Sequence, residues 1–425
     1  MGFPYSKLKP AAVPFPAARP ATTENSGALR DNAAFGLLIL LYGLEFIGAT
    51  NHLPVLKALH FNVLLSIALG AAVLFAGGFR SIARHRLAVL LIILICFTFV
   101  GISYSVVKTK TFSTFRGHLG YFILFACLYQ FISTEKKLRI FLIAALATDF
   151  IIILLNIGQL TSGMRAGQID AAYFLGDGND FAWSLAIVLP FALYFILNRG
   201  IFSKVWGIIA APPLLFGIVM TMSRGAFLAV LGSFLYFALW TRRKIATIIV
   251  LAVIALGTVL YAPHLFWNRM DPSNYMEGSS ASGRLQAWKA ATQMAIDHPL
   301  GVGAGNFQSV YGRFYVERFS GPIEWAARRW ISPHSIYFSM LAEYGFLGMV
   351  LLLAIIGEML RVNWKLRKLP GAGLFPACLS MSIVAFSIGG MFLGGIKYPH
   401  LYILGGLTLA CLNIYGDKNA ARPRQ

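Results

Sequence analysis

Apolar runs recur along almost the whole chain, separated by short polar connectors. Each run is about 17–25 residues long, the length a helix needs to cross a hydrocarbon core of about 30 Å. Polarity does not alternate inside the runs, as it would in barrel strands. The pattern predicts an all-α polytopic membrane protein with about 12 transmembrane helices. The spans fall near 34–50, 60–78, 87–104, 118–133, 138–157, 181–198, 206–222, 226–241, 245–263, 335–360, 374–392 and 399–415. Residues 1–33 are polar and carry Pro4, Pro10, Pro14, Pro16 and Pro20, so a disordered tail is expected there. A second tail covers 416–425. The spans then divide into 34–263 and 335–415, with one large helical loop, 264–334, between the ninth and tenth.

Helical periodicity continues inside that loop. From Ser282 to Asp297, Leu285, Trp288, Ala291, Thr292 and Ala295 share one face, with Ser282 placed as the N-cap and Pro299 ending the run. Further on, Phe307, Val310, Tyr311, Phe314 and Phe319 recur at helical spacing. No internal repeat is present, so the inverted repeats common in transporters find no support.

Composition sharpens this picture. Hydrophobic residues make up 58% of the chain and charged residues 12%, about half the charged share of a soluble domain. The net charge of +20 invites a nucleic-acid reading, but its distribution excludes one. The basic residues cluster in the short connectors, the topology signal of helical membrane proteins. The connectors on one side, with both termini, hold 22 of the 36 Lys and Arg; of the remaining 14, seven lie in the one long loop. Long loops count little in the charge rule. Both termini are therefore expected on the cytoplasmic side and the loop on the periplasmic side. Cys96, Cys127, Cys378 and Cys411 all lie inside apolar runs, which indicates no disulfide framework.

Chemistry-bearing residues gather on the outer side. His334 sits where the loop re-enters the membrane, and imidazole is the side chain that takes a proton near neutrality. Histidine is also tolerated at interfaces for no catalytic reason. Arg224 occupies a very short outer hairpin, where a guanidinium fork suits a phosphate or else snorkels to lipid headgroups. Arg284 is placed at the start of the first loop helix, where free N–H groups would join it in holding an anion; a solvent-facing charge is the plain alternative. Arg165, Arg116 and Lys397 are further cations on the same face.

Other features read as structural. The run from His298 to Asn306, with glycines at 301, 303 and 305, lacks the lysine and preceding strand of a nucleotide loop and reads as a tight turn. Asp177 and Asp180 suit a divalent metal or a helix cap, and the position of Asn179 and Asp180 at the next helix start favours the cap. No His/Cys cluster of metal spacing occurs, so no metal or cofactor is indicated. Glu45, Asp149, Glu343 and Glu358 lie in or near spans. Glu45 and Glu358 are expected to reach water and Asp149 to pair inside the bundle, and none is assigned a role.

Taken together these pieces resemble the O-antigen ligase family, within the wider group that also holds O-antigen polymerases and protein O-oligosaccharyltransferases. Arg224 with Leu228 four residues on, Ser282-Gly-Arg284-x3-Trp288 leading into His298-Pro-x-Gly-x-Gly-x-Gly-Asn306, and His334-x10-Gly345 carry the resemblance, in that order. It implies a GT-C-like, metal-independent and inverting glycosyltransferase of the bacterial inner membrane, acting in lipopolysaccharide biosynthesis. The donor would be a glycan on undecaprenyl diphosphate, and the acceptor a sugar of lipid A-core. The lipid bilayer is a further partner, and no nucleic acid is. By the resemblance, His334 would be the base, Arg284 and Arg224 the cations of the leaving group, and Arg165, Arg116 and Lys397 secondary diphosphate contacts. A lipid-linked glycan flippase is the rival from another class. It would need polar residues across the full membrane depth, where these spans are mostly apolar.

The charge asymmetry makes the topology testable. Cysteines placed at Gly278 and Ser320 should react with an impermeant thiol reagent in intact spheroplasts. Protection of both would reverse the orientation.

Overall fold

In the computed structural model, residues 26–49, 53–162, 177–198, 200–240, 279–319, 331–369, 371–394 and 398–420 are described. Among them no strand occurs. The long helices are α1 (Ser26–Ile47), α2 (Phe61–Phe75), α3 (Arg86–Tyr104), α4 (Lys108–Phe131), α5 (Glu135–Leu155), α6 (Gly178–Leu197), α7 (Ile201–Met220), α8 (Arg224–Trp240), α9 (Ser279–Asp297), α10 (Ile336–Leu366), α11 (Phe375–Gly389) and α12 (His400–Ala420). Five of them, α3, α5, α6, α7 and α10, are long and apolar enough to cross a membrane, and α2, α8, α11 and α12 contain shorter apolar helices. The described residues form an all-helical structure whose apolar helices are those of a multi-pass membrane protein. Every expected span except one coincides with a helix; the span placed at 245–263 lies outside the described residues.

Several helix ends differ from the sequence reading: α7 starts at Ile201, α10 runs on to Leu366, and α12 runs to Ala420, into the expected second tail. Helix α1 starts at Ser26, so the last residues of the expected tail are helical. Helix α4 starts ten residues before the apolar run does, because its N-terminus is fastened to another part of the chain. The Val107 N–H donates to Asn306 Oδ1 at 2.8 Å, and Lys110 Nζ donates to Ser309 Oγ at 2.7 Å.

The bundle is organised around α6, which is buried nearly along its whole length and packs against α5, α7, α8 and α11. Lipid tails are as apolar as leucine, so close packing and interhelical hydrogen bonds hold such a bundle together. Trp183 of α6 is fully buried, stacks on Phe386 of α11 with ring centroids 5.1 Å apart, and donates its indole N–H to the Ala385 carbonyl at 3.3 Å. A buried polar quartet joins α3, α4, α10 and α12. Thr98 Oγ1 lies 3.0 Å from Tyr344 Oη, Tyr344 Oη 3.0 Å from His118 Nε2, and His118 Nδ1 2.9 Å from Tyr402 Oη. Each such bond contributes on the order of 0.6–2 kcal/mol inside a membrane.

The expected pairing of Asp149 is not met. Its side chain is fully buried, and neither carboxylate oxygen has a hydrogen-bond partner among the described residues. Glu45 is half-buried rather than simply open to water and accepts from Asn62 Nδ2 at 2.8 Å. Glu358 pairs with Arg361 one turn on.

The feature that shapes the end of the bundle near His334 is a break in α10. Gly345 has φ 66° and ψ −165°, a combination essentially confined to glycine. The break leaves carbonyls of the preceding turn without helical partners. The glycine run fills them: Val302 N–H donates to the Ala342 carbonyl at 2.9 Å, and Gly303 N–H to the Glu343 carbonyl at 3.1 Å. The two backbones touch so closely that a Cβ on Gly345 would run into the Pro299 carbonyl, and one on Gly301 into the backbone of Glu343.

Replacing Gly345 by alanine should therefore cost at least about 1–3 kcal/mol in backbone strain alone. The thermal midpoint of the detergent-purified protein should fall. Gly357 lies in the same helix with open space where a Cβ would go. Gly357→Ala should leave the midpoint unchanged or raise it slightly, by up to about 1 kcal/mol of helix propensity.

Candidate active site

Helix α9 brings two of the motif residues to the same end of the bundle. It begins at Ser279, so Ser282 is not its cap and Arg284 stands in its second turn. The free amides of the helix start are therefore not what surrounds Arg284. The buried face also differs from the expected one. Ala287, Ala290, Ala291, Met294 and Ala295 are buried, while Leu285 and Thr292 are exposed. Small side chains let α9 lie close against α10, so the packed stripe follows the alanines and Met294 rather than Leu285. Trp288 is half-buried beside that stripe.

The second loop helix shows a related shift. Phe307–Val310 is α-helical, Tyr311–Tyr315 forms a π turn, and Val316–Phe319 is α-helical again. A π turn adds a residue to the turn and rotates the following face. Tyr315 and Val316 are thereby buried and Phe314 is left 65% exposed.

Trp288 is the link between α9 and His334. Its ring stacks on Phe338 at 4.8 Å between centroids, and its indole N–H donates to the Pro333 carbonyl at 2.8 Å. The next residue, His334, has φ 45°, a left-handed conformation uncommon outside glycine. Ser335 then caps α10 by accepting from the Phe338 N–H, and Ile336 N–H donates to the Gly390 carbonyl at 2.8 Å. His334 is thus presented from a held backbone at a helix start and is exposed to solvent.

Two charged groups act on His334. Partial burial pushes the His334 pKa below its ordinary value, the Arg284 guanidinium pushes it the same way, and Asp177 opposes them. Asp177 caps α6, accepting from the Asn179 and Asp180 N–H groups at 2.9 and 3.1 Å. The cap expected at this segment is present, and Asp177 supplies it. Asp180 accepts from the Tyr398 hydroxyl and also feels the charge of Arg284. Burial and Asp180 push the Tyr398 pKa far above its ordinary value, so the phenol stays protonated and remains the donor. Sequence reasoning flagged the two aspartates only as cap or metal ligands and missed Tyr398, which no motif marks.

Arg224 is the first residue of α8 and half-buried, after a connection in which Met222 has φ 55°. Its neighbour Gly225 abuts Leu393 so closely that a Cβ there would lie 2.9 Å from Leu393 Cγ. The same short segment presents Phe392 to Trp288 at 6.5 Å between ring centroids and Gly390 to Ile336. The three motifs therefore meet around residues 389–394. Arg116 is exposed on α4, and no hydrogen bond or ion pair among the described residues joins it to this cluster. Arg165 and Lys397 lie outside the described residues. The run from His298 to Asn306 is a turn, as expected, with the added role of sealing the break in α10.

Residues 209–353 match the family model described as O-antigen ligase. The matched stretch takes in Arg224, Arg284, His334 and Gly345, in accord with the resemblance drawn from the motifs. No curated protein matches the chain.

The opposed charges on His334 give a signed pH prediction. Removing Arg284 takes away a group that lowers the imidazole pKa, so Arg284→Gln should raise it. Asp177→Asn should lower it. The pH dependence of His334 carbethoxylation by diethyl pyrocarbonate, read by peptide mass spectrometry, should move up in the first variant and down in the second. Movement of both in one direction would mean that the three groups do not share a site.

Proposed function

We propose, for a chain that carries the domain of the O-antigen ligase family over residues 209–353, that it is an O-antigen ligase. It would transfer a glycan from undecaprenyl diphosphate to a sugar hydroxyl of lipid A-core at the periplasmic face of the inner membrane. Both termini would be cytoplasmic. The observation that carries the reading is the meeting of His334 and Arg284, from separate motifs, at one outer site with the two joined through the Trp288–Pro333 bond.

The donor brings its own activation in the diphosphate. The acceptor oxygen attacks the anomeric carbon, its proton passes to the neutral imidazole of His334, and the bond from that carbon to the diphosphate oxygen breaks. Attack opposite the leaving group inverts the centre. A lowered imidazole pKa keeps His334 neutral at ordinary pH, which is the form a base requires. Negative charge builds on the departing diphosphate, where Arg284 and Arg224 stabilise it. Their forks suit two phosphate oxygens at once. Arg116, Arg165 and Lys397 would be secondary diphosphate contacts.

The purified protein, offered lipid-linked glycan with lipid A-core, with a second lipid-linked glycan or with a pilin-like peptide, should transfer to lipid A-core. Elongation of the second glycan would make it a polymerase, modification of the peptide a protein O-oligosaccharyltransferase, and translocation without covalent transfer a flippase. His334→Ala should lower the rate by roughly 10²–10⁴ and leave affinity for undecaprenyl diphosphate intact. Arg284→Lys and Arg224→Lys keep the charge but lose the fork, and both rate and affinity for that product should fall.

A further inference from the structure

Glu343 lies nine residues beyond His334 on the first segment of α10, and it is buried. Both of its carboxylate oxygens are occupied. Oε2 accepts from the Gly305 N–H at 2.7 Å and Oε1 from the Phe307 N–H at 3.2 Å. With the carbonyl bonds of Ala342 and Glu343, four amides of the glycine run and the helix after it converge on two consecutive residues. An acid inside a membrane protein is a functional suspect by default.

The connections close a ring. Helix α9 carries Arg284 and Trp288. It runs through the glycine run, which Glu343 binds. Glu343 belongs to the α10 segment that leads back to Ser335, His334 and Pro333, and Pro333 is bonded to Trp288. The ring is thus clamped at two points, Trp288 on Pro333 at the site end and Glu343 on Gly305 and Phe307 at the far end. A third fixing holds the glycine run from behind: Asn306, fully buried, donates to Thr111 Oγ1 at 2.8 Å, and Thr111 donates to the Ala304 carbonyl at 3.0 Å. The segment of α10 up to Gly345 is short. With one clamp released it can pivot about the other, and His334 then moves relative to Arg284.

We infer that Glu343 is a positioning residue, whose carboxylate fixes the first segment of α10 against the glycine run and so sets the placement of His334 relative to Arg284. The inference deepens the proposed function and rests on it for the effect on turnover. Its geometric half, the coupling of Glu343 to His334, stands apart from that reading. Only a carboxylate fits the role. A side-chain amide has one accepting oxygen and would turn its NH2 toward an N–H. Aspartate accepts twice but is shorter by one methylene.

The test uses the full-length protein with Glu343→Gln and Glu343→Asp; the second keeps the charge if the first does not fold. Hydrogen exchange of peptides covering 300–309 should speed up in both. The His334 pKa, read by carbethoxylation, should move toward its ordinary value as Arg284 loses its hold on the imidazole. Turnover should fall by about tenfold to 10², the order of loss expected from a displacement near 1 Å, while undecaprenyl diphosphate affinity stays within about twofold. Faster exchange with unchanged His334 titration and turnover would overturn the inference and leave Glu343 as a fastener of the loop alone. If His334→Ala kept full activity, the base assignment would fail instead, and the titration shift in Glu343→Gln would still report the coupling.

Discussion

A helix that stops hydrogen-bonding to itself inside a membrane protein must find other partners for its backbone. Gly345 imposes that condition on α10, and most of the architecture around His334 follows from how it is met. The carbonyls released at Ala342 and Glu343 are taken by amides of the glycine run, so the run cannot be a mobile connector. The glycines at 301 and 345 are needed because two main chains pass within contact of each other. Once the run is held there, α9 is held too, and with it Arg284 and Trp288. The His-x10-Gly spacing and the His-Pro-x-Gly-x-Gly-x-Gly-Asn run look independent along the chain. In space they are two sides of one backbone joint.

Much of the bundle was legible because hydrophobic length is a strong signal. The apolar runs mark the helices almost one for one, and only their ends shift. The end of α4 moves because Asn306 and Ser309, about two hundred residues away, fasten it, and no local pattern encodes a distant partner. The face of α9 was misread because periodicity alone does not weigh size. Against a neighbouring helix, close approach selects the alanines, and Leu285 is left outside. The π turn at Tyr311–Tyr315 has no sequence signature, so the face beyond it was placed one residue out. His334, Arg284 and Arg224 were visible as scarce polar residues on the side expected to face outward. Tyr398 and the bond from Trp288 to Pro333 were not, because each depends on a contact between elements far apart in sequence.

The candidate site is not uniformly positive. Arg284 acts on His334 and on Asp180, and Asp177 acts on His334 in the opposite sense, so a cation and a carboxylate influence the same imidazole before any ligand arrives. An unbalanced cluster of guanidinium groups at a membrane surface would attract anionic lipid headgroups indiscriminately. Asp177, held in the cap of α6, tempers that attraction and cannot swing away. Arg224 reaches the same region by another route, on a helix whose start is wedged against Leu393, so the two cations are set by different parts of the fold.

The buried quartet of Thr98, Tyr344, His118 and Tyr402 has a direction. Thr98 donates its only hydroxyl proton to the Leu94 carbonyl at 2.8 Å, so toward Tyr344 it acts as acceptor. Tyr344 must then give its proton to Thr98, and its oxygen receives the hydrogen of His118 Nε2. That fixes the imidazole as the Nε2–H tautomer with a bare Nδ1, which takes the proton of Tyr402. Four side chains on four helices are thereby polarised in one sense, and a single main-chain carbonyl on α3 dictates that sense. A substitution at Thr98 that lost its hydroxyl would remove the reason for the order, and the histidine would be free to hold its hydrogen on either nitrogen.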